Sequence, residues 1–227
     1  MPEIKHPAHL QDEKNPIDKI QHFWDRYGKL AGYALFAIIL IVGGSLGYKY
    51  MIRDPDEQKA TESMFRAEEY YRMDSANLAL RGDNSSPGFL RIMSKYSGTR
   101  ASNLAEFYSG ICYLKLGDFN NAVKYLKDFS TSDKIVQIRA YGELGDAYSE
   151  LNKKDDAAEQ YKKAGTYFDK DDMLSPEYLF RAGYLYESMG KTQDAIAMYQ
   201  IIKEKYPKTA RGQEIDKYLA RLGVVAN

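Results

Sequence analysis

The feature that most restricts the fold of this chain is an uncharged, apolar run over residues 30–48, which stands between Lys29 and Lys49. About 20 apolar residues at roughly 1.5 Å per residue cover a hydrocarbon core of roughly 30 Å, so the run predicts a helix that spans a bilayer. Charges at both ends and the polar segment before the run favour a span over a buried soluble helix or a cleaved signal peptide. Aromatic residues fall where rings settle at the two water interfaces: Trp24, Tyr27, Tyr33, Tyr48 and Tyr50.

The segment before this run divides into a polar part and an amphipathic part. Residues 1–14 are polar and show no apolar periodicity, so we expect a disordered cytoplasmic tail. Residues 15–29 begin with Asn15-Pro16, a favourable helix start, and then place apolar residues at spacings of three and four. This pattern predicts an amphipathic helix in the surface of the lipid bilayer, before the chain turns into a transmembrane helix over residues 30–50. A partner-binding helix would have the same pattern.

Four glycines in and beside the predicted span have a spacing that is typical of helix packing in membranes. Gly28 and Gly32 are four residues apart, as are Gly43 and Gly47, so each pair lies on one face of a helix. Small residues on one face let a second transmembrane helix approach closely. We therefore predict transmembrane docking through these four glycines.

The orientation of the span does not follow from charge, because Arg26 and Lys29 before it are matched by Lys49 and Arg53 after it. A short tail, a first span and a large C-terminal domain form the usual layout of a signal anchor. This layout predicts a single-pass protein of the inner membrane with a cytoplasmic N-terminus and a periplasmic C-terminal domain.

Composition argues against several classes of function. Lys plus Arg and Asp plus Glu number 32 each, and this neutral balance gives no electrostatic reason to bind nucleic acid. All three histidines precede the span, and Cys112 stands in an apolar helical pattern typical of a core residue. We therefore predict neither a metal site nor another cofactor.

Groups that could carry catalysis are scarce. Serine residues have no nucleophile elbow, triad or glycine-rich context, and the paired carboxylates fall on charged helical surfaces or in a loop. These pairs are Glu68-Glu69, Asp155-Asp156 and Asp171-Asp172. We predict a protein that binds rather than catalyses, and the enzyme alternative is a peptidase or transferase that uses these carboxylates.

The chain after residue 50 contains an internal repeat. A small residue, glycine, is followed by a tyrosine three residues later at Gly110, Gly145 and Gly183, and a large residue lies four positions before the last two of these glycines. These glycines are 35 and 38 residues apart, against about 34 for a tetratricopeptide repeat, which the pattern resembles. The small residue lets the two helices of a repeat approach, and turns are predicted between them at Gly117, Asn152 and Gly190.

We therefore predict an all-α fold, in which one transmembrane helix is followed by a tetratricopeptide-repeat α-solenoid over residues 51–227. The segments Lys95-Tyr96-Ser97-Gly98-Thr99 and Lys205-Tyr206-Pro207-Lys208-Thr209 resemble each other, so a degenerate first repeat should cover the residues before the first segment. The predicted boundaries are about 57–97 for this repeat, about 103–136, 138–171 and 176–209 for the others, and 210–222 for a capping helix.

Arrays of this type normally bind through the concave surface formed by the first helix of each pair. In this chain the predicted groove mixes aromatic and charged side chains. This mixture would suit an extended or unfolded polypeptide, and the aromatic side chains would equally serve as packing residues. Seven residues at the corresponding positions form the predicted protein-binding groove: Phe107, Ile111, Arg139, Asp146, Phe180, Tyr184 and Glu187.

The junction of tail, span and repeats resembles the YfgM-like family of single-span inner-membrane proteins with a periplasmic repeat domain. The residues that carry the resemblance are Phe23, Tyr27-Gly28-Lys29 and Gly47-Tyr48-Lys49-Tyr50. The resemblance implies an ancillary subunit of the SecYEG-type translocon, associated with a membrane-anchored periplasmic chaperone of the peptidyl-prolyl isomerase type. Its clients would be unfolded secretory proteins. The alternative is a membrane-anchored scaffold for another envelope complex, such as the division or outer-membrane assembly machinery.

Overall fold

The computed structural model describes residues 16–48 and 53–224, which fall in two compact units divided after Asp54. The predicted tail over residues 1–14 and the last two residues of the predicted span lie outside the described residues. The first unit contributes one helix, α1 (Pro16–Tyr48), of 33 residues. Its stretch Tyr27–Ser45 is long and apolar enough to cross a membrane, which no other helix among the described residues is.

Helix α1 covers both segments that the sequence predicts as separate helices. No proline follows Pro16 in this stretch, and an internal glycine costs a helix only about 1 kcal/mol, less than a break in its hydrogen bonds. The chain therefore does not turn at residues 29–30. At about 1.5 Å per residue the helix is about 50 Å long, so part of it extends beyond a hydrocarbon core of about 30 Å.

The second unit is built from helices alone in its described residues, apart from one isolated bridge between Gly82 and Pro87. Its ten helices follow in chain order: α2 (Asp54–Arg72), α3 (Ala76–Arg81), α4 (Phe89–Lys95), α5 (Arg100–Lys115), α6 (Phe119–Lys127), α7 (Lys134–Glu150), α8 (Lys154–Thr166), α9 (Ser175–Ser188), α10 (Thr192–Lys205) and α11 (Ala210–Arg221).

The turns within the helix pairs share one backbone geometry. Gly117, Asn152 and Gly190, at the predicted turns, have φ of 74°, 56° and 74°. After α5, the backbone N–H of Gly117 donates to the carbonyl of Leu114, and the next N–H donates to the carbonyl five residues back. This pattern is a Schellman motif, and it recurs after α7 and α9. Asp74, with φ of 57°, takes the same position after α2.

A glycine on the first helix of three pairs packs against a large side chain of the second helix, 16 residues later. A Cβ built on Gly145 would lie 2.6 Å from ring atoms of Tyr161, and one built on Gly110 would lie 2.5 Å from Leu126. Gly183 has the same relation to Tyr199. Only hydrogen fits at these positions, so glycine sets the distance between the two helices.

The apolar core runs through the unit as three successive clusters. The first joins α2 to α5 around Phe89 and Ile92, the second joins α5 to α7 around Phe107 and Leu126, and the third joins α7 to α11 around Tyr199. Each cluster joins helices that are neighbours in the chain. This is the nearest-neighbour packing of a helical solenoid.

The two resembling segments before α5 and α11 have the same structure. Tyr96 and Tyr206 are buried, and Thr99 and Thr209 cap the helices that follow. Each threonine hydroxyl donates to the carbonyl of the tyrosine three residues before it and accepts from the backbone N–H three residues after it. The likeness of these segments thus reflects a common end and restart of a repeat.

The first repeat departs from a plain helix pair in its second half. Two short helices, α3 and α4, stand where the other pairs have one, and the loop 82–88 separates them. Asp83 organises this loop by accepting hydrogen bonds from the backbone N–H groups of Ser85 and Ser86 and from the Tyr70 hydroxyl. These bonds lower the pKa of the Asp83 carboxyl.

Gly145→Ala is expected to destabilise the protein. The added methyl group would overlap the Tyr161 ring, at a cost of about 1–3 kcal/mol, while the gain in helix propensity is about 1 kcal/mol. We expect a net loss of up to about 2 kcal/mol in urea unfolding of the full chain in detergent. Ser149→Ala, at an exposed position one turn later, should change stability by less than about 0.5 kcal/mol. A gain in stability for Gly145→Ala would show that the helix contact is not tight.

Candidate protein-binding face

The first helices of successive pairs, α2, α5, α7 and α9, lie side by side with α11 at the end. Glu57 on α2 accepts hydrogen bonds from two backbone N–H groups at the start of α5, at 2.9 and 3.2 Å. Further along, side chains of α7 reach α9, and those of α9 reach α11. We call the surface that these helices share the first-helix face; its members are Glu68, Tyr71, Tyr108, Arg139, Glu143, Asp146, Glu177, Tyr178, Arg181, Tyr184 and Arg211.

In the C-terminal half of this face, acids and arginines alternate and pair with one another. Arg181 on α9 lies 3.0 Å from Asp146 on α7 and 3.4 Å from Glu177 on its own helix. Glu177 in turn binds Arg211 on α11 at 2.7 Å. Because Arg181 and Glu177 each bind two charged partners, the network connects the three helices to one another.

Aromatic rings pack against these arginines. The Arg211 guanidinium lies 3.9 Å from the centroid of the Phe180 ring, and Arg181 lies 5.5 Å from the Tyr178 ring. The Tyr161 hydroxyl donates to Asp146, and burial, with that carboxylate, raises the pKa of Tyr161. A similar arrangement occurs near the end of α9, where Glu187 accepts from the Tyr199 hydroxyl and pairs with Arg221.

The N-terminal half of the face is aromatic. The rings of Tyr71 and Tyr108 lie 5.0 Å apart, and Tyr108 stacks on the buried Phe89 at 5.2 Å. Burial raises the pKa of both tyrosines, so both are neutral hydroxyl groups near neutral pH. Half-buried rings of this kind offer large contact areas to a partner chain.

The structure distributes the seven predicted groove residues over three environments. Phe107 and Ile111 are each only 4% exposed and lie in the core cluster between α5 and α7, so they pack the face from inside. Asp146, Phe180 and Glu187 belong to the charged and aromatic network described above. Arg139 is exposed, and the side chain of Tyr184 is exposed by 57%.

Sequence reasoning did not select Arg181, Glu177, Arg211 or Glu143. Three acids of the network have an arginine one repeat later: Asp146 and Arg181 are 35 residues apart, and Glu177 and Arg211 are 34 apart. Glu187 and Arg221 repeat the interval of 34. An acid and an arginine one repeat apart are thus a signal that the sequence contains.

The four glycines predicted for transmembrane docking lie on α1. A Cβ built on Gly32, Gly43 or Gly47 would meet no atom within 4 Å. One on Gly28 would contact the Trp24 ring at 3.6 Å. Space for a second helix is therefore present at three of the four glycines, and docking through them stays a prediction.

The paired carboxylates do not meet in one site. Glu69 binds Arg66 on its own helix, Asp155 binds Lys191, and Asp171 accepts from the backbone N–H groups of Leu174 and Ser175. Cys112 is fully buried, and burial raises the pKa of its thiol to about 12. These groups have structural roles, and none of them is prepared for nucleophilic attack.

Comparison with known families identifies the repeats. A family model described as Tetratricopeptide repeat matches residues 104–132 and 177–209, and a second model of the same description matches residues 138–164. These segments cover most of the pairs α5–α6, α9–α10 and α7–α8. No curated protein matches the chain. The chain therefore contains tetratricopeptide repeats, which generally bind other proteins and are typically not catalytic.

Arg211→Ala is expected to destabilise the full chain by about 1–2 kcal/mol in urea unfolding at pH 7, because it removes a charged hydrogen bond and the stacking on Phe180. Arg211 holds the pKa of Glu177 below its usual range. The contribution is therefore present above about pH 4.3, the pKa of an unfolded glutamate, and is lost as the pH falls through the lower folded value.

The difference in the free energy of unfolding between wild type and Arg211→Ala should therefore be smaller at pH 3 than at pH 7. Lys217→Ala, which removes an exposed pair on the same helix, should change stability by less than about 0.5 kcal/mol at either pH. An equal loss for both variants would show that the network does not stabilise the fold.

Proposed function

We propose that this protein is a membrane-anchored module that holds extended segments of other proteins on its first-helix face. The observation that carries the proposal is the contrast between the two halves of that face. In the C-terminal half the charged side chains pair with one another, while the N-terminal half presents the half-buried rings of Tyr71 and Tyr108 beside the exposed Arg139. Aromatic rings beside an exposed charge fit a polypeptide that brings its own apolar and charged groups.

The anchor gives the module its location. The stretch Tyr27–Ser45 of α1 would span the inner membrane, with the N-terminus in the cytoplasm and the repeats in the periplasm. A tethered face meets its client at a high effective concentration, so weak contacts suffice. Gly32, Gly43 and Gly47, with open space around them, would receive a helix of a neighbouring membrane protein.

The particular role we propose rests on the resemblance to the YfgM-like family. By that resemblance the neighbour is a SecYEG-type translocon, and a membrane-anchored periplasmic chaperone of the peptidyl-prolyl isomerase type receives the clients. The clients are unfolded secretory proteins that leave the channel. The protein holds them and catalyses no reaction.

The test is photocrosslinking in cells, with a photoreactive amino acid placed at Arg139 or at Tyr184 of the full-length chain. A matched control carries it at Lys162, which is exposed on the second helix α8. We expect many crosslinked products of different mass from the first two positions, with secretory proteins and translocon subunits among them, and few from the control.

Two other results would contradict the proposal at different levels. One or two discrete crosslinks to folded envelope proteins would replace the holding role by that of an assembly scaffold. Crosslinks of equal yield from all three positions would show that the first-helix face is not the binding surface.

A further inference from the structure

Two adjoining cavities open beside the first turns of α5 and α7. The first, with a volume of about 520 Å³, lies between α2 and α5, and its apolar lining consists of Met64, Phe65, Ala101 and Leu104. Glu68, a member of the first-helix face, lines the same cavity. The cavity therefore belongs to the face on which we place the bound polypeptide.

The second cavity lies on the other side of α5, towards α7. Its volume is also about 520 Å³, and its apolar lining consists of Leu104, Phe129 and Val136. Val136 precedes Arg139 by three residues and Glu143 by seven, so it lies on the same side of α7 as these two members of the face. Because Leu104 lines both cavities, they adjoin each other across α5.

The fold leaves part of this apolar lining uncovered. The Phe65 side chain is 65% exposed, and Leu104 is half-buried. A single exposed apolar side chain is common on protein surfaces, but an exposed ring that borders an apolar cavity indicates a site of interaction. Cavities of several hundred Å³ are large enough to receive a leucine or an aromatic side chain.

A single arginine connects the two cavities. Among the described residues, Arg100 is the only cation that lines either cavity, and it lines both. Its side chain is exposed and takes part in no ion pair or hydrogen bond within the described part of the chain. Its guanidinium thus offers five N–H donors in a planar fork that matches a carboxylate.

The acids around Arg100 have other partners. Glu57 accepts from two backbone N–H groups at the start of α5, and Asp133 accepts from two at the start of α7. The positive ends of these helices offset the charge of both carboxylates. Glu68, the third acid of the lining, is followed one turn later by Arg72, which is the favourable order for a pair along a helix. Arg100 therefore keeps its capacity to bind a carboxylate of a partner.

We propose that the two cavities receive two bulky apolar side chains of the bound polypeptide, and that Arg100 between them binds an acidic side chain of the same segment. This inference rests on the proposed function, since it names the chemistry of the segment that the first-helix face prefers. Packed helices lie about 8–10 Å apart, and an extended chain covers that distance in about three residues. The occupant is an extended segment with leucine or aromatic residues three positions apart and an aspartate or glutamate between them.

The test is a selection from a displayed library of random 12-residue peptides, with the full-length protein in detergent micelles as bait. We expect wild type to enrich peptides that carry an acidic residue between two bulky apolar ones. Arg100→Gln should lose the preference for the acid and keep that for the apolar residues. Arg91→Gln, which removes an exposed arginine of α4 that lines neither cavity, should keep both preferences.

A measurement on one enriched peptide makes the role of Arg100 quantitative. The peptide should bind wild type roughly fivefold more tightly than the same peptide with glutamine in place of its acid. Against Arg100→Gln the two peptides should bind within about twofold of each other, which isolates the pair in a double-mutant cycle.

The same peptide tests the apolar contact. Phe65→Ala should weaken its binding roughly tenfold, because the cavity between α2 and α5 loses an exposed ring. Met73→Ala, which removes a similarly exposed apolar side chain just after α2 and outside both cavities, should change binding by less than about twofold.

The outcomes separate this inference from the function on which it rests. Enrichment of peptides without an acidic preference, an equal preference by Arg100→Gln, or unchanged binding by Phe65→Ala would overturn the inference and leave the protein-binding face standing. Failure to enrich any peptide over empty micelles would overturn both.

Discussion

The structure depends on the contact between a glycine of one helix and a large side chain of the next. Tyr161 packs on Gly145, and its hydroxyl donates to Asp146, the residue beside that glycine. Asp146 then binds Arg181 in the following repeat. The contact that sets the distance between two helices therefore also positions a charge on the surface and connects it to the next pair. Tyr199, Glu187 and Arg221 repeat this chain of contacts.

This coupling explains why the two halves of the face differ in their contacts. Towards the C-terminus each acid meets an arginine one repeat later, and α11 supplies the last of them. Towards the N-terminus the second half of the first repeat consists of two short helices, and aromatic contacts replace the ion pairs. The two halves of the face thus differ where the repeat is least regular.

The repeats can be predicted from the sequence because their glycines and turn residues meet local requirements of the backbone and of helix packing. Gly117, Asn152 and Gly190 lie where a residue in the left-handed region ends a helix. Glycine and asparagine adopt that conformation readily, so such positions can be recognised in a single sequence. The burial of Phe107 and Ile111 could not be predicted, since it depends on how α7 packs against α5. The continuity of α1 could not be predicted because the amphipathic pattern before residue 30 changes to an apolar run within one helix.

The central claim is that the first-helix face holds unfolded polypeptide. Hydroxyl-radical footprinting of the full-length chain in detergent, with and without a reduced and alkylated protein as the unfolded probe, tests it most directly. The account predicts that the probe lowers the labelling of Tyr71, Tyr108 and Tyr184, while Tyr113 and Tyr125, which stack on each other between α5 and α6, are labelled as before. Equal protection of all five tyrosines, or protection of the last two alone, would contradict it.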